Sequence, residues 1–65
     1  PLDCERIKAL REKLGLTQEE AARLAGLRSR QNWNNIESGR RTNLTIETLE
    51  AIAKALGVKA SDLLK

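Results

Sequence analysis

Residues 17–38 read TQEEAARLAGLRSRQNWNNIES, and this stretch decides the fold. Thr17 followed by Glu20 is the sequence form of a capping box, so a helix starts at Thr17 and runs to about Ala25. Leu16 before the cap and Ala21 at the fourth helical position suit a weak hydrophobic staple. Ala21, Ala22 and Ala25 give this helix a smooth face that a second helix can approach closely. Gly26 stops it, and Leu27 is the apolar plug of the turn Gly26-Leu27-Arg28-Ser29. Ser29 is the next N-cap. Trp33 and Ile36 are the only large apolar residues between 28 and 43. A helix over about 30–38 must bury that pair and expose Arg30, Gln31, Asn34, Asn35 and Ser38. Asparagine is a poor helix former, so packing has to hold this helix. Its polar face therefore serves something other than helix stability.

Working outward, Ile7, Leu10 and Leu14 recur at helical spacing, with Asp3 as N-cap and Gly15 as stop. This predicts a helix over about 3–14, with Arg6, Lys8, Arg11, Glu12 and Lys13 on its wet side. Beyond Gly39, Arg40 to Leu44 reads as an irregular basic loop. Thr45 caps a further helix whose core stripe is Ile46, Leu49, Ile52, Ala53 and Leu56, and Gly57 ends it. Val58 is a buried linker residue by pattern. Ser61 to Leu64 gives one more turn, with Leu63 and Leu64 available for the core or a partner. The expected architecture is all-α: one compact five-helix domain over residues 1–65. Its second and third helices form a helix-turn-helix at about 17–38.

The chain has 65 residues, 40% hydrophobic and 32% charged, which suits one small folded domain. No apolar run is long enough for a membrane span, and no basic-then-apolar start suggests export, so a cytoplasmic protein is expected. One cysteine, Cys4, and no histidine exclude an internal disulfide, a structural zinc site and histidine-based catalysis. Glu19 and Glu20 are not a catalytic pair, because neighbours on a helix point about 100° apart. Nothing calls for an enzyme, a cofactor, a metal or a small-molecule ligand. Residues 28–41 hold Arg28, Arg30, Arg40 and Arg41 against Glu37 alone. That segment carries the chain's entire +3, since the other eight basic and eight acidic residues cancel. All four asparagines, Asn32, Asn34, Asn35 and Asn43, fall at this place too, beside Gln31. Arginine and side-chain amides are the groups that hydrogen-bond base edges and phosphates.

Three motifs in order carry a resemblance. They are Leu16-Thr17-Gln18-Glu19-Glu20 with Ala22 and Gly26-Leu27; Ile36-Glu37-Ser38-Gly39-Arg40-Arg41; and Thr48-Leu49-Glu50-Ala51-Ile52-Ala53-Lys54-Ala55-Leu56-Gly57-Val58. Together they resemble the lambda-repressor-like helix-turn-helix family of the Cro/cI or xenobiotic-response-element type, over about residues 6–64. The turn Leu27-Arg28-Ser29 and the loop Arg41 to Thr45 are each one residue longer than usual. Trp33 fills a slot usually held by a smaller aliphatic residue.

The resemblance implies a sequence-specific regulator of transcription that binds double-stranded DNA, with helix 30–38 in the major groove. It places Arg30, Gln31, Asn35 and Asn34 at the base edges. Gln18, Arg28, Ser38, Arg40, Arg41 and Asn43 fall at the phosphates, and Gln18 also braces the first recognition residue. A near-palindromic operator bound by a homodimer is expected, with Leu63, Leu64 and the outer face of the helix that Thr45 caps as dimer candidates. The other reading is an antitoxin or adaptor-type module on the same fold, whose main contact is protein. Trp33 reads as core rather than as a base-stacking ring. Glu37 reads either as the salt-bridge partner of an arginine or as a solvent-exposed acid.

Overall fold

The computed structural model describes all 65 residues. Four α-helices follow in order: α1 (Cys4–Lys13), α2 (Gln18–Leu24), α3 (Arg30–Glu37) and α4 (Ile46–Leu56). The fifth expected helix is a single 3-10 turn over Ala60–Leu63, flanked by extended backbone at Lys59 and Leu64. Four residues are too few to sustain an α-helical ladder, so the tighter turn closes the chain.

Every expected N-cap is made. The Asp3 carboxylate accepts from the Arg6 amide at 3.2 Å, and the Ser29 hydroxyl from the Asn32 amide at 3.4 Å. The Thr45 hydroxyl accepts from the Thr48 amide at 3.1 Å. The box at α2 is complete: Glu20 N donates to Thr17 Oγ1 at 3.0 Å, and Thr17 N to Glu20 Oε1 at 2.9 Å. These backbone and hydroxyl bonds to Thr17 hold the Glu20 carboxyl below its usual range. Each cap satisfies an amide that has no partner within its own helix.

Eleven apolar residues form one core: Leu2, Ile7, Ala21, Ala22, Ala25, Trp33, Ile36, Ile52, Ala53, Leu56 and Leu63. Trp33 is the largest and is completely buried, as its spacing with Ile36 requires. The buried alanines of α2 let α3 pack closely on it, and this is the most extensive helix pairing in the molecule. Leu27 is half-buried against the core beneath the turn, and Val58 is half-buried too.

Three expected positions differ. Leu14 is 52% exposed because α1 ends at Lys13 and Leu14 is its C-cap. Ile46 is 74% exposed because it opens α4, and helical side chains lean toward the N-terminus, away from the packed turns. Leu63 is fully buried and so withdrawn from any dimer surface, while Leu64 stays exposed.

The helix ends share one geometry, with one exception. After α1, α2 and α4 an amide reaches back five residues: Leu16 to Arg11, Leu27 to Ala22 and Val58 to Ala53. After α3 the bond spans six, from the Arg41 amide to the Asn35 carbonyl at 2.9 Å. Gly39, at φ +85°, turns the chain as Gly15, Gly26 and Gly57 do after the other helices, and the extra residue of the wider exit is the exposed Arg40. The two chain ends are clasped. Leu2 and Leu64 form an antiparallel bridge, Asp3 N donates to Leu63 O at 2.8 Å, and Lys65 N to Pro1 O at 2.8 Å.

Ile46 and Ile52 lie on one helix in opposite surroundings, so truncation separates them. Ile52→Ala is expected to cost about 2–5 kcal/mol in urea denaturation, as a core truncation does. Ile46→Ala should stay within about 0.5 kcal/mol. Equal losses would contradict the burial pattern of α4.

Candidate nucleic-acid interface

The interface is built on a buried ion pair. Arg11 Nε and Nη2 each donate at 2.9 Å to the two carboxylate oxygens of Glu37, and Nη1 donates at 2.7 Å to Leu16 O. Trp33 Nε1 donates to the same carboxylate. The side chains of Arg11 and Glu37 are only 12% and 4% exposed. One guanidinium therefore ties α1, the turn before α2 and the end of α3 together. Arg11 thus departs from its expected place on the wet side. It sits four residues after Ile7, about 40° round the helix, so it borders the buried stripe rather than opposing it.

Burial alone would push the Glu37 carboxyl up. The hydrogen bonds from Arg11 and Trp33, the Arg11 charge and a smaller contribution from Gln18 outweigh it and hold Glu37 below its ordinary value. The bond to Glu37 holds Arg11 above its own, against an opposing push from burial. Of the two readings of Glu37, the ion pair holds, but its arginine comes from α1.

This inward turn sets the charge of the outer surface. The single acid of segment 28–41 is spent inside the fold, and Arg28, Arg30, Arg40 and Arg41 have no ion-pair partner. All four are exposed. A shallow groove over the turn is lined by Arg23, Arg28 and Arg30, with Glu19 and Ser29. Arg23 thus extends the basic surface onto α2, which charge counting along 28–41 missed. Nothing in the sequence signalled it, because an arginine four residues after Glu19 reads as half of an ion pair within one helix.

The expected base-reading residues share the outer face of α3. Arg30 and Gln31 are exposed in its first turn, and Asn34 and Asn35 are half-buried one turn on. Gln31 Nε2 donates to Asn35 Oδ1 at 3.0 Å. Asn34 Nδ2 donates to Gln18 Oε1 at 3.3 Å. Gln18 therefore braces α3 at Asn34 rather than at Arg30, the first recognition residue. Ser38 caps the helix end and donates through Oγ to Asn35 O at 3.3 Å. Arg40, Arg41 and Asn43 follow on the exposed loop, with Arg41 anchored through its backbone. The structure thus gathers the expected contact residues on α2, α3 and the two flanking loops. Leu64 stands apart from them, at the clasped chain ends. No cluster of His, Cys, Asp or Glu capable of holding a metal is present.

The family described as "Helix-turn-helix domain" matches residues 4–65. The chain belongs to the helix-turn-helix family. Its fold is the lambda-repressor-like one, and solved helix-turn-helix proteins superpose on it closely. The P22 c2 repressor, in complex with synthetic operator 9T, is 34% identical with a TM-score of 0.88, covering 100% of this chain and 96% of that one. The biofilm master regulator SinR, in complex with DNA, is 31% identical with a TM-score of 0.88, covering 98% and 100%. SinR is a Bacillus subtilis protein. The restriction-modification controller C.AhdI from Aeromonas hydrophila is 33% identical with a TM-score of 0.85, covering 94% and 89%. No curated protein sequence matches the chain.

Because the folded Glu37 carboxyl lies below its reference value of 4.5, its ion pair stabilises the fold above about that pH. The contribution is lost as pH falls through the depressed folded value. Urea midpoints measured from neutral pH down to about pH 2 should therefore fall steeply in the native protein. They should fall less steeply in Glu37→Gln, which is less stable at neutral pH. Parallel curves would remove Glu37 as a source of the acid sensitivity.

Proposed function

We propose that this chain is a sequence-specific regulator of transcription that binds double-stranded operator DNA. The carrying observation is the unpaired arginine face left when Glu37 turns inward, flanked on α3 by Gln31 and Asn35. Unneutralised arginines are suited to phosphates, and side-chain amides to base edges. In this reading residues 17–38 are the helix-turn-helix of a single domain over 1–65, and α3 lies in the major groove. Arg30, Gln31, Asn34 and Asn35 meet bases. Gln18, Arg28, Ser38, Arg40, Arg41 and Asn43 meet the backbone. The similarity to SinR and to the P22 c2 repressor, both solved with DNA, supports it. Regulation follows from occupancy, which blocks or recruits polymerase.

A helix of eight residues is about 12 Å long and reaches only a few base-pair steps of about 3.4 Å. Such a short reading is too little for a genome, so the domain acts as a homodimer on a near-palindromic operator. Leu64 and the outer face of α4, which carries the exposed Ile46, are the remaining candidates for the dimer contact. No helix is long and apolar enough to cross a membrane, which accords with a regulator working in the cytoplasm.

Selection of bound duplexes from a random pool at about 0.15 M salt tests the reading. A palindromic winner carrying two chains is expected. Binding without enrichment, lost as salt rises, would reduce the arginine face to a non-specific footprint. Arg30→Ala should cost about 1–3 kcal/mol of preference at one base position per half-site. Arg41→Ala should weaken all duplexes alike and lower the salt slope by about one unit. A changed ranking of sites in Arg41→Ala would move that residue to the base-reading group.

A further inference from the structure

We propose that Thr42 is a phosphorylation site, and that an arginine-directed protein kinase acting on it releases the chain from DNA by covering the charge of Arg40 and Arg41. The proposal rests on the DNA-binding reading above and adds its regulation.

The chain carries seven hydroxyl side chains, all Ser or Thr. Thr17, Ser29 and Thr45 each accept from a backbone amide as helix caps. Thr48 Oγ1 accepts from Thr45 Oγ1 at 2.9 Å, and Ser38 Oγ donates to Asn35 O at 3.3 Å. Thr42 and Ser61 are left without a side-chain hydrogen bond, and both are exposed. Ser61 lies inside the closing 3-10 turn, where its carbonyl accepts from the Leu64 amide at 3.3 Å. Thr42 lies outside every element, and Thr42, Asn43 and Leu44 make no backbone hydrogen bond. A segment held so lightly can be drawn into a foreign active site without opening a helix.

The neighbouring charges supply the recognition. Arg40 and Arg41 directly precede Thr42, and neither has an ion-pair partner. Two unpaired guanidiniums beside a free hydroxyl suit a kinase whose substrate cleft is acidic. In the reaction Thr42 Oγ1 attacks the γ-phosphorus of a nucleoside triphosphate. The new O–P bond replaces the bond from that phosphorus to the β–γ bridging oxygen, which leaves with its electron pair on the nucleoside diphosphate. The hydroxyl proton passes to a carboxylate base of the kinase.

The product carries about −1.5 to −2 charges at neutral pH and three strong acceptor oxygens. It nearly cancels the two charges of Arg40 and Arg41 and accepts charge-assisted hydrogen bonds from them. Segment 28–43 displays no other negative charge, since Glu37 is turned inward. Both guanidiniums meet DNA phosphates in the reading above, so both contacts are withdrawn together. Two lost phosphate contacts lower the salt slope by about 1.8. Between about 1 M and 0.15 M salt, that slope amounts to about 30-fold in affinity. The outer face of α3 is untouched, so all duplexes weaken alike.

The folded chain should be incubated with a purified arginine-directed serine/threonine kinase and magnesium ATP, and the phosphate located by mass spectrometry. Thr42 should carry it and Ser61 should not. Incorporation should vanish in Thr42→Val and be largely lost in the Arg40→Ala/Arg41→Ala double variant. Phosphate on another residue, or none on the native chain, would overturn the site. A chain synthesised with phosphothreonine at position 42 should then be titrated with the selected operator, with circular dichroism checking that it is folded. Its affinity at about 0.15 M salt should be about 30-fold lower, with the ranking of duplexes unchanged. Thr42→Val should bind as the native chain does. Equal affinities of the phosphorylated and native chains would overturn the switch and leave the DNA-binding reading standing. A native chain that is modified at Thr42 yet prefers no duplex would overturn the DNA-binding reading, and the switch with it.

Discussion

The rest of the molecule depends on one buried charge pair. Arg11 and Glu37 are 26 residues apart in sequence and meet fork to fork, nearly shielded from water. Desolvating two charges is expensive, and the attraction between them roughly offsets that cost only when the remaining hydrogen-bonding groups are also satisfied. Here they are: Leu16 O takes the third guanidinium nitrogen, and the Trp33 indole supplies a further donor to the carboxylate. The pair therefore fixes where α3 ends relative to α1. It also removes the only negative charge from the segment that carries all of the net positive charge. A structural contact inside the fold thus determines the electrostatics of the outer face.

α3 inherits its geometry rather than generating it. An eight-residue helix with three asparagines would not persist alone in water. It is held by Trp33 and Ile36 in the core, by the alanine face of α2 and by the Ser29 cap. The opposite face is released from any stabilising duty, so Arg30, Gln31 and Asn35 are free to be chosen for what they hydrogen-bond. The Asn34 to Gln18 bond links the two motif helices from the outside. Charge and amides are spread in the same way, with Arg28, Arg40 and Arg41 on the flanking loops, Arg30 at the start of α3 and Gln31, Asn34 and Asn35 along it.

Local rules made much of this legible in the sequence. Asp3, Thr17, Ser29 and Thr45 all cap as expected, because a cap depends on a few neighbouring residues. Burial of Trp33 followed from the apolar poverty of its segment. The misreadings arose where a helix ends or where distant segments meet. Leu14 and Ile46 fit their stripes by angle but lie at the ends of α1 and α4, where no neighbour covers them. Leu63 and Leu64 are chemically alike, and only the strand-like pairing of the chain ends decides that Leu63 faces inward. The partner of Glu37 was hidden because periodicity within one helix carries no information about another. The face of the candidate site could be read, but the bonds within it could not. Which of three neighbouring amides pairs with which is set by side-chain placement, not by residue type.

The clasp between Pro1 and Lys65 has a topological consequence. Residues 1–3 and 63–65 lie side by side, held by backbone hydrogen bonds. A short peptide joining them would span little distance and disturb no core residue other than Leu2 and Leu63 at its edge. The ring could then be cut in the exposed loop after α3 without reordering the packing of the four helices.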